Sequence, residues 1–198
     1  MILNPSRSLP SNRIAQNAAN STAQWPWFAL QVRTRHEMGI ADHLEAIGYE
    51  SFLPLYKSRR RWSDRIKEVD TPLFPGYIFC RFNSQNWLPI LKHPGVIQIV
   101  GYNRIPVPID DFEIDAIRTL GASGLPNQPW PFPKVGDRVR IESGPLRGLE
   151  GMLVEFKNSR RFVVSVTLLQ RSVAVEIDSL YVTSLSSLRA ERLEGACT

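Results

Sequence analysis

GASGLPNQPWPFP, residues Gly121 to Pro133, carries four prolines and two glycines in thirteen residues. Proline lacks the backbone N–H that a helix interior or a central strand needs. The stretch is therefore expected to divide the 198-residue chain into two parts. The segment reads as a linker, semi-rigid in its Pro-rich half, with a reach of roughly 40 Å at about 3.1 Å per extended residue.

The hydrophobic pattern changes across this linker. Before it, apolar strands alternate with helices. Trp27–Val32 (WFALQV) is a strand. Arg35–Ile47 is a helix, with Ile40, Leu44 and Ile47 at i, i+4 and i+7. Ser51–Tyr56 is a strand interrupted by Pro54, and the highly basic Lys57–Glu68 is a loop or hairpin tip. Tyr77–Phe82 is a strand, Asn83–His93 a short helix with Asn83 or Ser84 as its cap, and Gly95–Tyr102 a strand. Asp110–Leu120 is a helix whose acidic first turn complements the dipole, with Phe112, Ile114 and Ile117 as apolar positions. After the linker only short strands remain. Phe162, Val164, Val166 and Leu168 point one way, and Val163, Ser165, Thr167 and Leu169 the other. Several short strands in so few residues imply a small closed barrel. The expected organisation is a disordered tail over 1–24, a first domain over 25–120, the linker over 121–133, a barrel over 134–185 and a frayed tail over 186–198.

Several functions are disfavoured. No apolar run approaches the roughly 20 residues of a membrane span, and residues 1–24 hold no unbroken apolar core of a secretory signal. The two cysteines, Cys80 and Cys197, lie far apart, so a reduced, cytoplasmic protein is expected, with Cys80 packing as a small hydrophobe. His36 and His43 are seven residues apart on one helix with no third ligand nearby, and they read as solvated side chains rather than a metal site. No catalytic or nucleotide-binding motif is present, and no cofactor is implied. Gly144, Gly148 and Gly151 lie between two strands, so no helix N-terminus meets them and a structural role is expected.

The formal net charge is +5. Residues 25–124 hold 12 basic and 11 acidic residues and residues 125–185 hold 8 and 6, so nucleic-acid binding would be local or assisted by a partner. The local candidates are Arg59, Arg60, Arg61, Trp62 and Arg65: guanidinium groups suit phosphates and an indole can stack on an unpaired base. A solvated loop is the other reading of that run.

Two groups of segments then carry a resemblance. VGDRVRIESGPLRGLEGMLVEF with VVSVTLLQRSVAVEID resembles the KOW motif and small barrel of the NusG family of transcription elongation factors. WFALQVRTRHEMGIADHLEAIGYESFLPL, LFPGYIFCRF and HPGVIQIVGY resemble that family's N-terminal domain, in the right order, over residues 25–185. RWSDRIKEVDTPLFPGYIFCRF resembles the specialised RfaH-like and UpxY-like antiterminators more than the housekeeping factor.

The resemblance implies an α+β protein. Its N-terminal α/β sandwich would have a mainly antiparallel four-stranded sheet, followed by the linker and an SH3-like KOW barrel. It also implies a non-enzymatic, monomeric factor whose N-terminal domain grips the clamp helices of the RNA polymerase largest subunit through an apolar pocket. Phe74, Pro75, Gly76 and Tyr77 would help to form that pocket, because a Pro-Gly turn can hold two aromatics rigidly. The arginine run would lie over the non-template DNA strand. In the barrel, the resemblance assigns Leu169, Gln170 and Arg171 to a corner that meets termination factor Rho or a small-subunit ribosomal protein. The housekeeping factor has an aromatic at the position of Leu169 and a glycine at that of Gln170, so the corner carries over more firmly than the partner. The alternative is a KOW-bearing RNA-binding or ribosome-associated protein. The β-branched Val163, Val164, Val166 and Thr167 favour a barrel over the helical hairpin known in some specialised members.

Overall fold

The computed structural model describes residues 25–61, 66–133, 136–156, 159–177 and 182–184; both expected tails and the candidates Trp62 and Arg65 lie outside these described residues. The WFALQV segment forms β1 (Trp27–Val32). Its alternation sorts two cores. Phe28, Leu30 and Val32 pack with Ile40, Ala41 and Leu44 of α1 (Glu37–Ala46), while Trp27 and Ala29 face the opposite core. Helix α1 starts later than expected because Arg35 holds a φ of 70°, which a right-handed helix excludes.

β2 (Glu50–Phe52) is cut short before the expected Pro54 interruption, and β3 (Leu55–Arg61) pairs instead with β4 (Ile66–Pro72) in a separate two-stranded ribbon. The basic segment is therefore largely paired strand. β5 (Tyr77–Arg81) and β6 (Val96–Ile99) complete an antiparallel sheet of order β2-β5-β1-β6. Between them α2 spans only Leu88–Leu91, with Pro89 in its first turn. Asn83 does not cap it: its Oδ1 accepts from the Gln85 N–H at 2.9 Å and closes a preceding turn. A small hairpin, β7 (Gly101–Tyr102) with β8 (Ile105–Pro106), leads to α3 (Asp111–Ala122).

Helix α3 is firmly placed. The Asp110 carboxylate accepts from the Phe112 N–H at 3.0 Å as an N-cap. The guanidinium groups of Arg81 and Arg118 each lie 4.8 Å from the Trp27 ring centroid, and Glu50 meets them at 3.8 and 3.1 Å. This links β1, β2, β5 and α3 around one buried indole. Phe112, expected on the apolar face, is exposed. Burial, with a further contribution from Glu50, pushes the Cys80 thiol up to about 12, so it packs as an unreactive hydrophobe.

The linker is shorter than its composition suggests. α3 runs through Ala122, and β9 (Asn127–Pro131) pairs with the barrel. That barrel comprises β9, β10 (Asp137–Ile141), β11 (Glu150–Phe156), β12 (Ser159–Val166), β13 (Arg171–Glu176) and β14 (Val182–Ser184), ordered β14-β10-β11-β12-β13-β9 and antiparallel throughout. Val139, Ile141, Phe162, Val164, Val166, Val173 and Val175 fill it. The alternation expected through Leu169 stops at Val166, where a 3-10 turn (Thr167–Leu169) begins. Among the described residues, no helix is long and apolar enough to cross a membrane.

Candidate functional site

Phe74-Pro75-Gly76-Tyr77 is a type II turn. The Tyr77 N–H donates to the Phe74 carbonyl at 3.0 Å, Pro75 occupies the second position, and Gly76 has the φ of 82° that the third requires. A second clamp comes from far away in sequence. Glu37, buried in the first turn of α1, accepts from the Gly76 N–H at 3.0 Å, and the Val32 N–H donates to the Gly76 carbonyl at 2.9 Å. Glu37 was not a candidate from sequence. An acidic residue opening a helix reads as dipole complementation, and only the fold brings it to Gly76.

The turn separates its two aromatics. Phe74 is 1% exposed and packs edge-on against Phe79, with centroids 5.5 Å apart. Tyr77 stays half-buried at the edge of a groove of about 540 Å³ lined also by Val32, Thr34, Pro75 and Ile97. Pro75 and Tyr77 are thus presented, while Phe74 is the packing beneath them.

The arginines sit on the β3–β4 ribbon. Arg59 pairs with Glu68 at 3.2 Å, and the neighbouring Lys57 pairs with Asp70 at 2.7 Å. The register sets Arg60 across from Lys67 and Arg61 across from Ile66, and Arg61 is exposed. In that register Arg59 faces a carboxylate residue, Glu68, while the partner positions of Arg60 and Arg61 are Lys67 and Ile66.

In the barrel, Gly144 and Gly148 take positive φ in the β10–β11 connection, and Gly151 lies against β12. The corner residues follow β12. Leu168 and Leu169 are half-buried against the core that also holds α3. Gln170 adopts a left-handed φ of 51°, and its Nε2 donates to the Thr167 carbonyl at 2.8 Å. The Arg171 guanidinium lies 5.1 Å from the Tyr77 ring centroid. The turn and the corner, expected as separate surfaces, are in contact.

Among the described residues, no group of three or more His, Cys, Asp or Glu side chains could hold a metal. The His43 and His93 rings lie tilted at 50° with centroids 4.7 Å apart, while the His93 Nδ1 accepts from the Gly95 N–H at 3.0 Å. Desolvation, then the His43 charge, lowers the His93 pKa. The folded state therefore favours neutral His93. That stability is present above the ordinary imidazole value of about 6.5 and is lost as pH falls through the lowered folded value. Urea unfolding at pH 7.5 and 5.5 is expected to show a smaller acid loss in His93→Asn than in the native chain. An equal loss would assign the acid sensitivity to other groups.

The architecture is α+β: a four-stranded antiparallel sheet with helices on both faces, continued by a small antiparallel barrel. The family model described as "Transcription termination factor nusG" matches residues 26–118. The NusG protein of Deinococcus radiodurans is 31% identical over 129 residues, covering 56% of this chain and 67% of that one. That of Borreliella burgdorferi is 26% identical over 183 residues, covering 80% and 98%. Both carry the name transcription termination/antitermination protein. The solved structure described as "Domain interaction in Thermotoga maritima NusG" superposes with a TM-score of 0.51 at 22% identity, covering 83% of this chain and 99% of that one, which supports the fold. The chain belongs to the NusG family of transcription termination/antitermination factors, whose members are not enzymes.

Proposed function

We propose that this protein acts during transcription elongation by docking on the clamp helices of RNA polymerase through the Tyr77 face, while its KOW barrel recruits a second factor. The doubly clamped type II turn carries this reading, because it presents an aromatic at fixed geometry beside a groove. Rigid aromatic anchors lose little entropy on binding. Docking changes polymerase behaviour only through tighter binding to the elongating conformation, which is a population shift. The test is co-purification with polymerase. The full chain and a chain ending at Ala122 should both retain the enzyme. Retention by the barrel alone would favour the RNA-binding or ribosome-associated alternative.

In this reading the ribbon lies along the non-template strand. Arg59, Arg60 and Arg61 each neutralise up to one phosphate, so replacing all three with alanine should flatten the log–log salt slope of binding to a bubble template by up to about 2, at about 0.7 per single-strand contact. The Arg59–Glu68 pair makes Arg59 the smallest contributor. A salt slope equal to that of the native chain would reduce the run to a solvated ribbon.

A further inference from the structure

The groove beside Tyr77 is lined by two unlike sets of side chains. Pro75, Tyr77 and Ile97 supply its apolar part. Ile97 is available because the β1–β6 register pairs Gln31 with Gln98 but Val32 with Val96. That bulge leaves Ile97 without a cross-strand partner and 56% exposed. The connection from β1 to α1 supplies the polar part, through Arg33, Thr34 and His36. Gln31 adds an amide. Its Oε1 already accepts from the Gln98 Nε2 at 2.7 Å, which leaves the Gln31 N–H groups without an acceptor among the described residues.

The polar part is fixed in place. The Arg33 N–H donates to the Gly95 carbonyl at 2.9 Å, and the Arg33 carbonyl accepts from the His36 N–H at 3.3 Å. Thr34 packs on the turn, since a Cβ at Gly76 would lie 3.3 Å from its Cγ2. Arg35 takes the left-handed φ of 70° and does not line the groove. The charge of the lining has one sign. Arg33 and, from the barrel, Arg171 contribute to it, and among the described residues no Asp or Glu does. Glu37, next after the connection, is buried and already accepts from the Gly76 N–H. Arg33 is exposed and has no ion-pair partner among the described residues, whereas Arg59 and Arg118 each pair with a carboxylate.

We infer that this groove selects its docking helix by charge: the helix presents an Asp or Glu to Arg33 and Gln31 while its apolar residues meet Pro75, Tyr77 and Ile97. A carboxylate suits these donors because it only accepts, and its bond to a guanidinium is charge-assisted. The two parts of the groove have separate tasks. Apolar contact supplies affinity. Arg33 supplies discrimination, because a neutral or basic residue docked there would leave the guanidinium desolvated and unpaired. The held backbone of Arg33 limits the freedom lost when the pair forms. This inference rests on the polymerase docking proposed above and adds the residue type that the docking helix must carry.

The experiment uses the full chain and a clamp-helix fragment of bacterial RNA polymerase, with folding of each variant checked by circular dichroism. Arg33→Gln should weaken binding about tenfold, the scale of one charge-assisted hydrogen bond. Arg35→Gln removes the same charge two residues away, outside the groove, and should change affinity by no more than about twofold, as a surface charge does. Arg33→Glu should lose more than Arg33→Gln. Replacing one acidic residue of the fragment with Lys should then restore binding to Arg33→Glu while weakening binding to the native chain. Equal losses in Arg33→Gln and Arg35→Gln would reduce the effect to net charge and overturn selection at Arg33. Native affinity in Arg33→Gln, or no rescue of Arg33→Glu from any acidic position, would overturn it too and leave docking at Tyr77 standing. If the fragment does not bind even the native chain, the polymerase reading fails and charge selection falls with it.

Discussion

Tyr77→Ala is expected to bind a clamp-helix fragment of RNA polymerase at least about 30-fold more weakly than the native chain, the equivalent of about 2 kcal/mol for an anchoring aromatic. Tyr77 suits that role because its backbone is fixed twice, by the turn bond to Phe74 and by the Glu37 bond to Gly76. Little freedom remains for binding to remove. Phe74→Ala would be the wrong probe, since it cuts a cavity beneath the turn and costs stability whatever the partner. The Arg171 guanidinium covers the Tyr77 ring, so the substitution is measured in the Arg171→Ala background as well. A folded Tyr77→Ala protein, checked by circular dichroism, with native affinity in both backgrounds would rule out Tyr77 as the anchor.

Elements whose signal is local were legible in the sequence. The apolar WFALQV run gave β1 its observed limits, and the acidic start of α3 followed from dipole complementation, while Asp110 stands one place outside the helix as its cap. What depends on partners distant in the chain was not legible. Proline content marks 121–133 as a spacer, yet Pro129 and Pro131 occupy alternate positions. Their missing N–H groups therefore fall on one side of the strand, leaving the other side free to pair with β13. Composition carries no such parity. The alternation of RFVVSVTLL cannot show that Gln170 will turn left-handed and end the strand at Val166. The FPGY motif contains two aromatics that look equivalent until Phe79 takes one into the core. The arginine run reads as uniform charge until the β3–β4 register gives Arg59 a carboxylate and sets Arg60 opposite Lys67.

The largest stability effect is expected at Gly151. Its backbone requires no left-handed φ; the constraint is space. A Cβ there would lie 2.6 Å from the Val163 carbonyl oxygen and 2.7 Å from Cε2 of Phe162. Neither can give way easily. Val163 is held in the β11–β12 ladder opposite Met152, and Phe162 is fully buried in the barrel core. The ring of Phe162 uses the volume that a side chain at 151 would occupy. Gly151→Ala must therefore spread two strands or tilt a packed aromatic, which costs about 2–3 kcal/mol at the upper end of overpacking. For a unit the size of this barrel that corresponds to a fall in Tm of roughly 10–20 °C. Gly144→Ala is the control. Gly144 has a φ of 80° but nothing within 4 Å of a built Cβ, so its loss is confined to backbone strain of about 1 kcal/mol. Thermal unfolding followed by circular dichroism should rank the native chain above Gly144→Ala and Gly144→Ala well above Gly151→Ala. If Gly144→Ala were the more damaging substitution, backbone conformation rather than close strand packing would be what these glycines supply.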